Sequence, residues 1–457
     1  MARLNTLNLN FGLRTHEGGH ARHISTEMQL RRSVLACMLW EDQFYEDGAE
    51  IAARIAELVP KVAAEKVAAL ALEAREQMKL RHTPLLLVRE MARHKTHRAQ
   101  VSEALASVIQ RADELAEFIA IYWKEGRVPL SGQVKKGLAA AFPKFDEYQL
   151  AKYDRGGPIK LRDVLFLCHA KPRDEAQAAV WKRLIWGRLT APDTWEVSLS
   201  AGTNRREAWT RLLREQKLGA LALLRNLRNM REAGVEESLV LGAVREMNTA
   251  RVLPFRFLAA ARYAPQLEEA LEEAMLKCLT SQAKLAGKTV LVIDVSGSMG
   301  GRLAQNSELN RIDTAAGLAI LAREVCENVA VYATAGNDST RVHATEQVPS
   351  RNGFALADAI RQMAGRLGGG GIFLVQAMNS IAKRETKADR VIVFTDEQDC
   401  DLKLNPAQAN AFGKHNYLVN VASFKNGIGY GKWTHIDGWS ESVIEYIRAL
   451  EQTTWVN

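Results

Sequence analysis

The stretch Thr289–Gly301 reads TVLVIDVSGSMGG and decides the fold of the C-terminal part of the chain. Its first half is an apolar, β-branched run, which is typical of a strand buried on both faces. The run ends abruptly at Asp294, and Ser296 and Ser298 follow at alternate positions. The pattern predicts a buried strand that delivers one carboxylate and two hydroxyls to a tight turn.

Further apolar runs follow this strand and alternate with helical patterns. The runs VAVYATA, RVIVFTDEQ and NYLVNVASF are strand-like, and helices are predicted near Ala355–Leu367 and Leu374–Arg384. Such alternation predicts a mostly parallel sheet covered by helices on both faces, as in Rossmann-like folds. Ligands of such folds bind at the carboxyl ends of the strands, and both Asp294 and Asp396 lie at that end.

The four polar residues at these strand ends are candidate metal ligands. Asp294, Ser296, Ser298 and Asp396 offer hard oxygen ligands with few charges, which suit Mg²⁺ or another divalent cation. The alternative is a serine-rich turn that caps the following helix, with Asp294 as a capping acid. The second strand-terminal aspartate, about a hundred residues on, favours the metal site.

The first part of the chain is predicted to be helical. Glu50–Leu80 repeats apolar residues at intervals of three and four, and Pro60 divides it into two helices. Ser102–Gly126 is predicted as one helix that a glycine stops. Many helices of this size indicate an α-solenoid or a ring of helical repeats. Four tryptophans are predicted to pack in the core or between helices, although stacking platforms are the alternative: Trp181, Trp186, Trp195 and Trp209.

Further helices are predicted from the same periodicity over these ranges: Thr83–His94, Gln133–Phe142, Glu175–Ile185, Asn204–Glu215, Leu218–Met230, Glu237–Met247 and Pro254–Tyr263.

The positive charge of the protein is concentrated in the helical part. The 457 residues carry a net charge of +8, yet residues 285–457 hold 17 Lys and Arg against 18 Asp and Glu. Residues 1–284 therefore hold 44 basic against 35 acidic residues. A nucleic-acid-binding surface would produce this excess, and so would a charge that serves solubility. Charge alone does not separate the two interpretations.

Composition indicates a cytoplasmic protein outside any membrane. No stretch approaches the roughly 20 apolar residues that span a bilayer, and the N-terminus lacks the apolar core of a signal peptide. The five cysteines are scattered and never in CxxC spacing, which favours free thiols in a reducing compartment: Cys37, Cys168, Cys278, Cys326 and Cys400.

The segment VIDVSGSM resembles the metal-ion-dependent adhesion site of the von Willebrand factor A domain, and Lys288–Asn457 has the length and order of that fold. In that family a threonine from a later G-G-T loop completes the site. The matching stretch here is RLGGGGIFLVQAM (Arg366–Met378), where Gly370 stands at the threonine position. The resemblance therefore implies a divalent-cation site that lacks one ligand and binds the ion weakly.

Four stretches of the first part resemble the TROVE domain of the Ro autoantigen family: Arg14–Gly48, Leu161–Pro172, Trp209–Met230 and Arg251–Tyr263. The resemblance implies an α + α/β fold, with a ring of HEAT-like helical repeats over residues 1–284. A von Willebrand factor A-like domain would follow over residues 285–457. The same stretches also resemble the bacterial members of this family.

The same resemblance implies an RNA-binding function. Members of the family bind small noncoding Y RNAs on a basic surface and single-stranded 3′ ends of misfolded RNAs in a central hole. By matching motif, Lys152 and His169 stand where the family contacts RNA, and Arg155 and Lys171 lie alongside them as further implied contacts. For Lys152 and Arg155 the alternative is a pair of solvated cations, and for His169 it is a satisfied helix-end histidine. An exoribonuclease or another RNA-processing protein is the implied protein partner, and a ring closed within one chain implies a monomer.

No enzymatic machinery stands out in the sequence. There is no GxxxxGK[ST] loop, and one Asp-Ser-Ser turn is too sparse for hydrolysis by two metal ions. The leading hypothesis is a non-catalytic RNA-binding protein of ribonucleoprotein or RNA-quality-control type. A protein-binding scaffold that uses the adhesion-type site is the alternative, and a metal-dependent nuclease using Asp294 and Asp396 is a weaker one.

Overall fold

A computed structural model of the protein describes most of the chain. The described residues are 14–15, 18, 20–21, 25–35, 48–76, 80–154, 157–190, 204–249, 252, 254–277, 284–302, 309–367, 369–403, 411–422, 427–428, 432–437, 443–444, 447–448 and 451.

The chain divides into two compact units. The helical unit comprises Thr26–Glu41 and Asp47–Cys278, and the sheet unit comprises Leu279–Asn457 with Met1–Ser25 and Asp42–Glu46. The sequence boundary had placed the N-terminal segment with the helices. Within the sheet unit, the Thr15 hydroxyl donates a hydrogen bond of 2.9 Å to the buried carbonyl of Asp399, which ties part of this segment to the unit.

The described part of the helical unit contains fifteen α-helices. In chain order they are α1 (Thr26–Leu35), α2 (Gly48–Leu58), α3 (Ala64–Glu76), α4 (His82–Arg93), α5 (Arg98–Val108), α6 (Asp113–Tyr122), α7 (Gly132–Ala141), α8 (Glu147–Tyr153), α9 (Leu161–Cys168), α10 (Glu175–Ile185), α11 (Arg205–Arg214), α12 (Ala220–Glu232), α13 (Glu237–Glu246), α14 (Pro254–Tyr263) and α15 (Glu268–Lys277).

The division at Pro60 is confirmed, because a 3₁₀ turn over Val59–Lys61 separates α2 from α3. The single helix predicted over Ser102–Gly126 is wrong. The chain leaves the helix after Val108, and the buried carboxylate of Glu114 accepts hydrogen bonds from the backbone N–H groups of Gln110 and Arg111, at 2.8 and 3.0 Å. These bonds stabilise the turn that begins a new helix, and periodicity carries no signal of them.

The sheet unit is built on a six-stranded sheet with the order β3-β2-β1-β4-β5-β6. Its strands are β1 (Leu285–Asp294), β2 (Cys326–Asn337), β3 (Val342–Gln347), β4 (Arg390–Thr395), β5 (His415–Asn420) and β6 (Thr434–Asp437). Its described α-helices are α16 (Arg311–Val325), α17 (Gly353–Arg366) and α18 (Leu374–Arg384). All strand pairs are parallel except β2 with β3. The predicted α + α/β class, with a mostly parallel sheet, is confirmed.

The central strands are buried on both faces. Every residue of β4 and the last six residues of β1 are buried. Val290 and Val292 of β1 belong to an apolar core with Leu374 and Met378 of α18. The parallel register places Ile293 beside Phe394, so Asp294 and Asp396 leave the sheet at the same edge.

Two further features bear on the expectations from composition. Cys168, Cys326 and Cys400 are buried free thiols, while Cys37 and Cys278 lie outside the described residues. None of the helices in the described part of the chain is both long and apolar enough to cross a membrane.

Candidate functional site

The DxSxS turn at the end of β1 folds back on its own aspartate. The Ser296 N–H donates to Asp294 Oδ1 at 2.9 Å, and the Ser296 and Ser298 hydroxyl oxygens lie 3.2 Å apart. A 3₁₀ turn over Gly297–Gly300 continues the chain. Asp294 and Ser296 are buried and Ser298 is half-buried, so the turn holds a cluster of polar side chains just beneath the protein surface.

Asp396 reaches the same point from the end of β4. The neighbouring Thr395 hydroxyl donates to Asp294 Oδ2 at 2.6 Å, which joins the two strand ends. Burial, and after it the nearby Asp396 carboxylate, raise the pKa of Asp294 to about 7, although hydrogen bonds from Ser296 and Thr395 act in the opposite direction. The structure thus brings together the four predicted metal-site residues.

The glycine loop closes this site from the side. The carbonyl of Gly370 accepts a hydrogen bond of 3.1 Å from the Gly297 N–H. A Cβ atom at position 370 would lie only 2.2 Å from the carbonyl oxygen of Gly336, so a threonine could not stand there without a backbone movement. The glycine at the predicted threonine position is therefore required by close approach of two backbone segments.

Arg311, which the sequence analysis missed, occupies the remaining side. It begins α16 and is 3% exposed, and its Nη1 lies 3.2 Å from the Ser298 carbonyl oxygen and 3.4 Å from Asp396 Oδ2. The sequence around Arg311 gave no signal for this role, because its carboxylate partner, Asp396, lies 85 residues further along the chain.

These contacts test whether the residues suit a divalent cation. Both oxygens of Asp294 accept hydrogen bonds from the protein, and a guanidinium lies against Asp396. This arrangement fits an internal hydrogen-bond network and does not fit an oxygen cage for Mg²⁺. Binding of Mg²⁺ stays a prediction.

Further acids are buried behind the Asp396 turn. Glu397 has a positive φ of 63° and pairs with His435, and both side chains are buried. Asp399 is fully buried, and its Oδ1 accepts a hydrogen bond of 2.8 Å from the Leu374 N–H. Its Oδ2 has no hydrogen-bond partner among the described residues. Burial raises the pKa of Asp399 to about 7.

A second candidate site lies in the helical unit, where a cavity of about 920 Å³ contains Lys152 in its wall. Arg81, Arg111 and Arg225 add three more cations to this wall, against the two acids Asp113 and Glu117. Arg81 and Arg111 both form ion pairs with Asp113, at 2.5 and 2.9 Å. The other two cations of the wall are Lys152 and Arg225.

Aromatic rings accompany these cations. The guanidinium of Arg111 lies 4.8 Å from the ring centre of Tyr153, and Lys152 Nζ lies 5.6 Å from the same ring. Lys152 Nζ also lies 6.0 Å from the ring of Tyr148, which is 51% exposed. Cation and ring are therefore presented side by side on α8.

The other predicted RNA-contacting residues lie elsewhere. His169 ends α9 in the left-handed conformation, with φ of 54°, and its side chain and that of Lys171 are exposed. Neither residue lines the cavity that contains Lys152. Arg155 lies outside the described residues. On the exposed side of α9, Arg162 and Phe166 precede His169 at helical spacing, and Phe166 is 57% exposed.

The structure confirms two of the four tryptophan predictions and contradicts one. Trp181 and Trp209 are buried as predicted, and Trp195 lies outside the described residues. For Trp186 the prediction is wrong, because its side chain is 57% exposed just beyond the end of α10. Lys182 Nζ lies 4.8 Å from the ring centre and the Arg188 guanidinium 5.6 Å from it.

We call three sets of side chains the aromatic–cation groups: Tyr148 with Lys152, Phe166 with Arg162 one helical turn before it, and Trp186 with Lys182 and Arg188. They lie on, or directly after, the consecutive helices α8, α9 and α10, and α10 packs against both α8 and α9. Exposed rings next to cations are the side chains that proteins use to bind single-stranded nucleic acid.

Comparisons with known proteins define the class to which this architecture corresponds. Residues 181–312 match the family model of the TROVE domain. The predicted resemblance to the TROVE-domain family is therefore confirmed over these residues.

The solved structure of the Ro protein (RSR) of Deinococcus radiodurans has the same fold. It superposes with a TM-score of 0.62 over 93% of this chain and 99% of that one, at 20% sequence identity. Telomerase protein component 1 is 37% identical in Rattus norvegicus and 36% identical in Mus musculus, over 90 residues. That segment is 18% of this chain, and it spans about 3% of the length of those two relatives.

Proposed function

We propose that this protein is a non-catalytic RNA-binding protein of Ro ribonucleoprotein type. The observation that carries the proposal is the presence of the aromatic–cation groups on three consecutive helices, beside a cavity with a cationic wall. The match to the TROVE domain, a domain of a family associated with RNA binding, supports it. The excess of basic residues in residues 1–284 supports it as well.

We infer two kinds of RNA ligand. Single strands offer unstacked bases, and the rings of Tyr148, Phe166 and Trp186 are exposed enough to stack on them. Small structured Y-like RNAs offer closely spaced phosphates, for which Lys152, Arg155, His169 and Lys171 are the proposed contacts. The role would be quality control, processing or decay of misfolded RNA in the cytoplasm. The protein would act as a monomer beside an exoribonuclease or another processing protein.

Binding without cleavage fits the chemistry of the strand-end site. Phosphodiester hydrolysis by metal ions needs ions that polarise the phosphate and activate water. At this site the Asp294 oxygens are engaged by Ser296 and Thr395, and Arg311 lies at Asp396. The adhesion-type capture of a partner's carboxylate through a metal ion is the alternative function, and it predicts that a chelator releases the partner.

The test uses the purified protein and one structured RNA, with and without a single-stranded 3′ tail. Affinity is measured over a series of salt concentrations, with and without chelator, and the RNA is then examined for cleavage. The variant is Lys152→Ala/His169→Ala, and Lys95→Ala is the matched control because Lys95 is an exposed cation outside the cavity wall.

The proposal expects tail-dependent binding that weakens steeply with salt, that the double variant weakens further and that Lys95→Ala leaves unchanged. Binding no tighter than to a random polyanion, and unaltered in the double variant, would overturn it. Cleavage that requires metal and disappears in Asp294→Ala would support the nuclease instead.

A further inference from the structure

Arg311 is a buried cation in an unfavourable place. Only 3% of it is exposed, and a guanidinium in the protein interior is destabilising unless it is paired. It also stands at the first position of α16, where the helix dipole is positive and disfavours a further positive charge. A cation that is buried there must be compensated by specific acceptors.

The acceptors are the strand-end carboxylate and the turn itself. Arg311 Nη1 lies 3.4 Å from Asp396 Oδ2 and 3.2 Å from the Ser298 carbonyl oxygen. Asp396 Oδ1 accepts from the Gln398 N–H at 3.3 Å, and both oxygens of Asp294 are engaged as described above. Each of the four carboxylate oxygens at the site therefore has a donor within the protein.

The backbone that carries Arg311 is fixed. Its N–H donates to the Gly301 carbonyl at 3.1 Å, and a reciprocal pair of hydrogen bonds between Asn310 and Asp313 caps α16. Arg361 Nε binds Asp313 at 3.0 Å on the far side of the cap. The guanidinium is thus held at the site by the helix start.

We propose that the Arg311 guanidinium supplies, at this adhesion-type site, the positive charge that a divalent cation supplies in a metal-binding one. The site is then a permanent internal ion pair that links the start of α16 to the ends of β1 and β4. The fold of the sheet unit needs no metal, and the site captures no carboxylate through a bridging ion. This inference concerns the sheet unit and does not depend on RNA binding.

The geometry gives two further reasons. A divalent cation at the site would lie close to a buried like charge, which is strongly unfavourable in a medium of low dielectric constant. The position that would supply a threonine oxygen has no room for a side chain, because its Cβ would meet the Gly336 carbonyl oxygen at 2.2 Å.

The experiment follows metal binding and folding separately in the full chain. Free Mn²⁺ is titrated and its binding measured by electron paramagnetic resonance, and the Tm is measured with Mg²⁺, with Mn²⁺ and with chelator. The variants are Arg311→Met, which removes the charge, and Arg311→Lys, which keeps it. Arg302→Met is the matched control, because Arg302 is an exposed cation near the start of the same helix.

The proposal expects that the wild type binds no Mn²⁺ at millimolar concentration and that its Tm is the same in metal and in chelator. Arg311→Met should have a lower Tm in chelator, bind Mn²⁺ at least about tenfold more tightly than the wild type and recover Tm with the metal. Arg311→Lys should stay independent of metal, and Arg302→Met should behave as the wild type.

A wild-type Tm that rises with Mg²⁺ or Mn²⁺ and falls in chelator, an effect that Asp294→Asn removes, would overturn the proposal. An Arg311→Met variant that neither loses stability nor gains Mn²⁺ would overturn it too. If Arg311→Met does not fold, the wild type and Arg311→Lys still decide the question.

Discussion

The buried cations of the sheet unit and the exposed cations on α8–α10 of the helical unit serve different purposes. Arg311 and Arg390 are each 3% exposed, and their guanidinium groups bind acids of the same chain. Lys182 and Arg188 are exposed, and each lies beside a ring that is itself 57% exposed. The first kind of cation is already neutralised within the fold, whereas the second is available to an external polyanion.

This difference teaches that total charge is a weak guide to binding. The sheet unit contains many basic residues, yet Arg311 and Arg390 are neutralised by ion pairs within the fold. Counterions are released only from charges that reach phosphate, so the exposed cations of α8–α10 should control the salt dependence. Four predictions test this contrast, beginning with the largest expected effect.

Arg390→Met should destabilise the sheet unit by about 3–5 kcal/mol, because it removes the buried cation that pairs with Glu451, whose side chain is only 12% exposed. Arg390 Nε lies 2.6 Å from Glu451 Oε1, and Nη1 lies 2.8 Å from the Thr289 hydroxyl. Urea unfolding followed by circular dichroism measures the loss. Arg366→Met is the control: its ion pair with Glu346 is 59% and 47% exposed, so removing it should cost no more than about 1 kcal/mol. Equal losses in the two variants would contradict the contrast.

Asp399→Asn should remove part of the pH dependence of the free energy of unfolding. The pKa of Asp399 is raised to about 7 by burial, so the folded state holds this proton more tightly than the unfolded state does. The contribution of the protonated group to stability is full below about pH 4 and is lost as the pH rises to about 7. Asparagine stays neutral and keeps the acceptor for the Leu374 N–H.

The variant should therefore be more stable than the wild type at about pH 8, by a few kcal/mol, and similar to it below about pH 4. Urea unfolding at several pH values measures the difference, and some dependence should remain because the pKa of Asp294 is raised in the same direction. Asp358→Asn, at an exposed residue, is the control and should leave the pH dependence unaltered. An unchanged wild-type profile in Asp399→Asn would exclude a role for this carboxyl.

The sequence predicted the strand-end turn well because its signals are local. The apolar run and the DxSxS spacing place Asp294, Ser296 and Ser298 on one turn, and parallel topology brings Asp396 to the same edge. Arg311 could not be predicted, since its role depends on a partner 85 residues away. Strand β3 was missed because it lies at the sheet edge, mostly exposed and polar in sequence.

On the helical side, periodicity predicted most helices but not which tryptophan is exposed. Trp181 lies on the buried face of α10, whereas Trp186 follows the last helical residue, Ile185, where the helical phase no longer applies. The break between α5 and α6 likewise depends on hydrogen bonds to Glu114. Exposure at helix ends is decided by the path of the chain, which a periodic pattern does not contain.

Trp186→Ala should weaken binding of single-stranded RNA by about 1–3 kcal/mol, the usual contribution of one stacked base. Because the ring is neutral, the slope of log affinity against log salt should stay nearly constant. Trp186→Phe keeps a ring and should retain most of the affinity. Fluorescence anisotropy with a labelled oligonucleotide measures both quantities, and a loss of affinity equal in the two variants would argue against stacking.

Lys152→Gln should produce the smallest change in affinity but a specific change in salt dependence. Loss of one phosphate contact on a single strand reduces the salt slope by about 0.7, and the loss of affinity should be similar for different RNA sequences. The measurement is the same anisotropy titration over a salt series, with Lys95→Gln as the control. Lys152 Nζ lies 5.6 and 6.0 Å from two tyrosine rings, so it could instead serve the fold, as Arg311 does. In that case Lys152→Gln would lower the Tm and leave the salt slope unchanged. Lys152 would then be a cation that stabilises the fold, like Arg311 and Arg390.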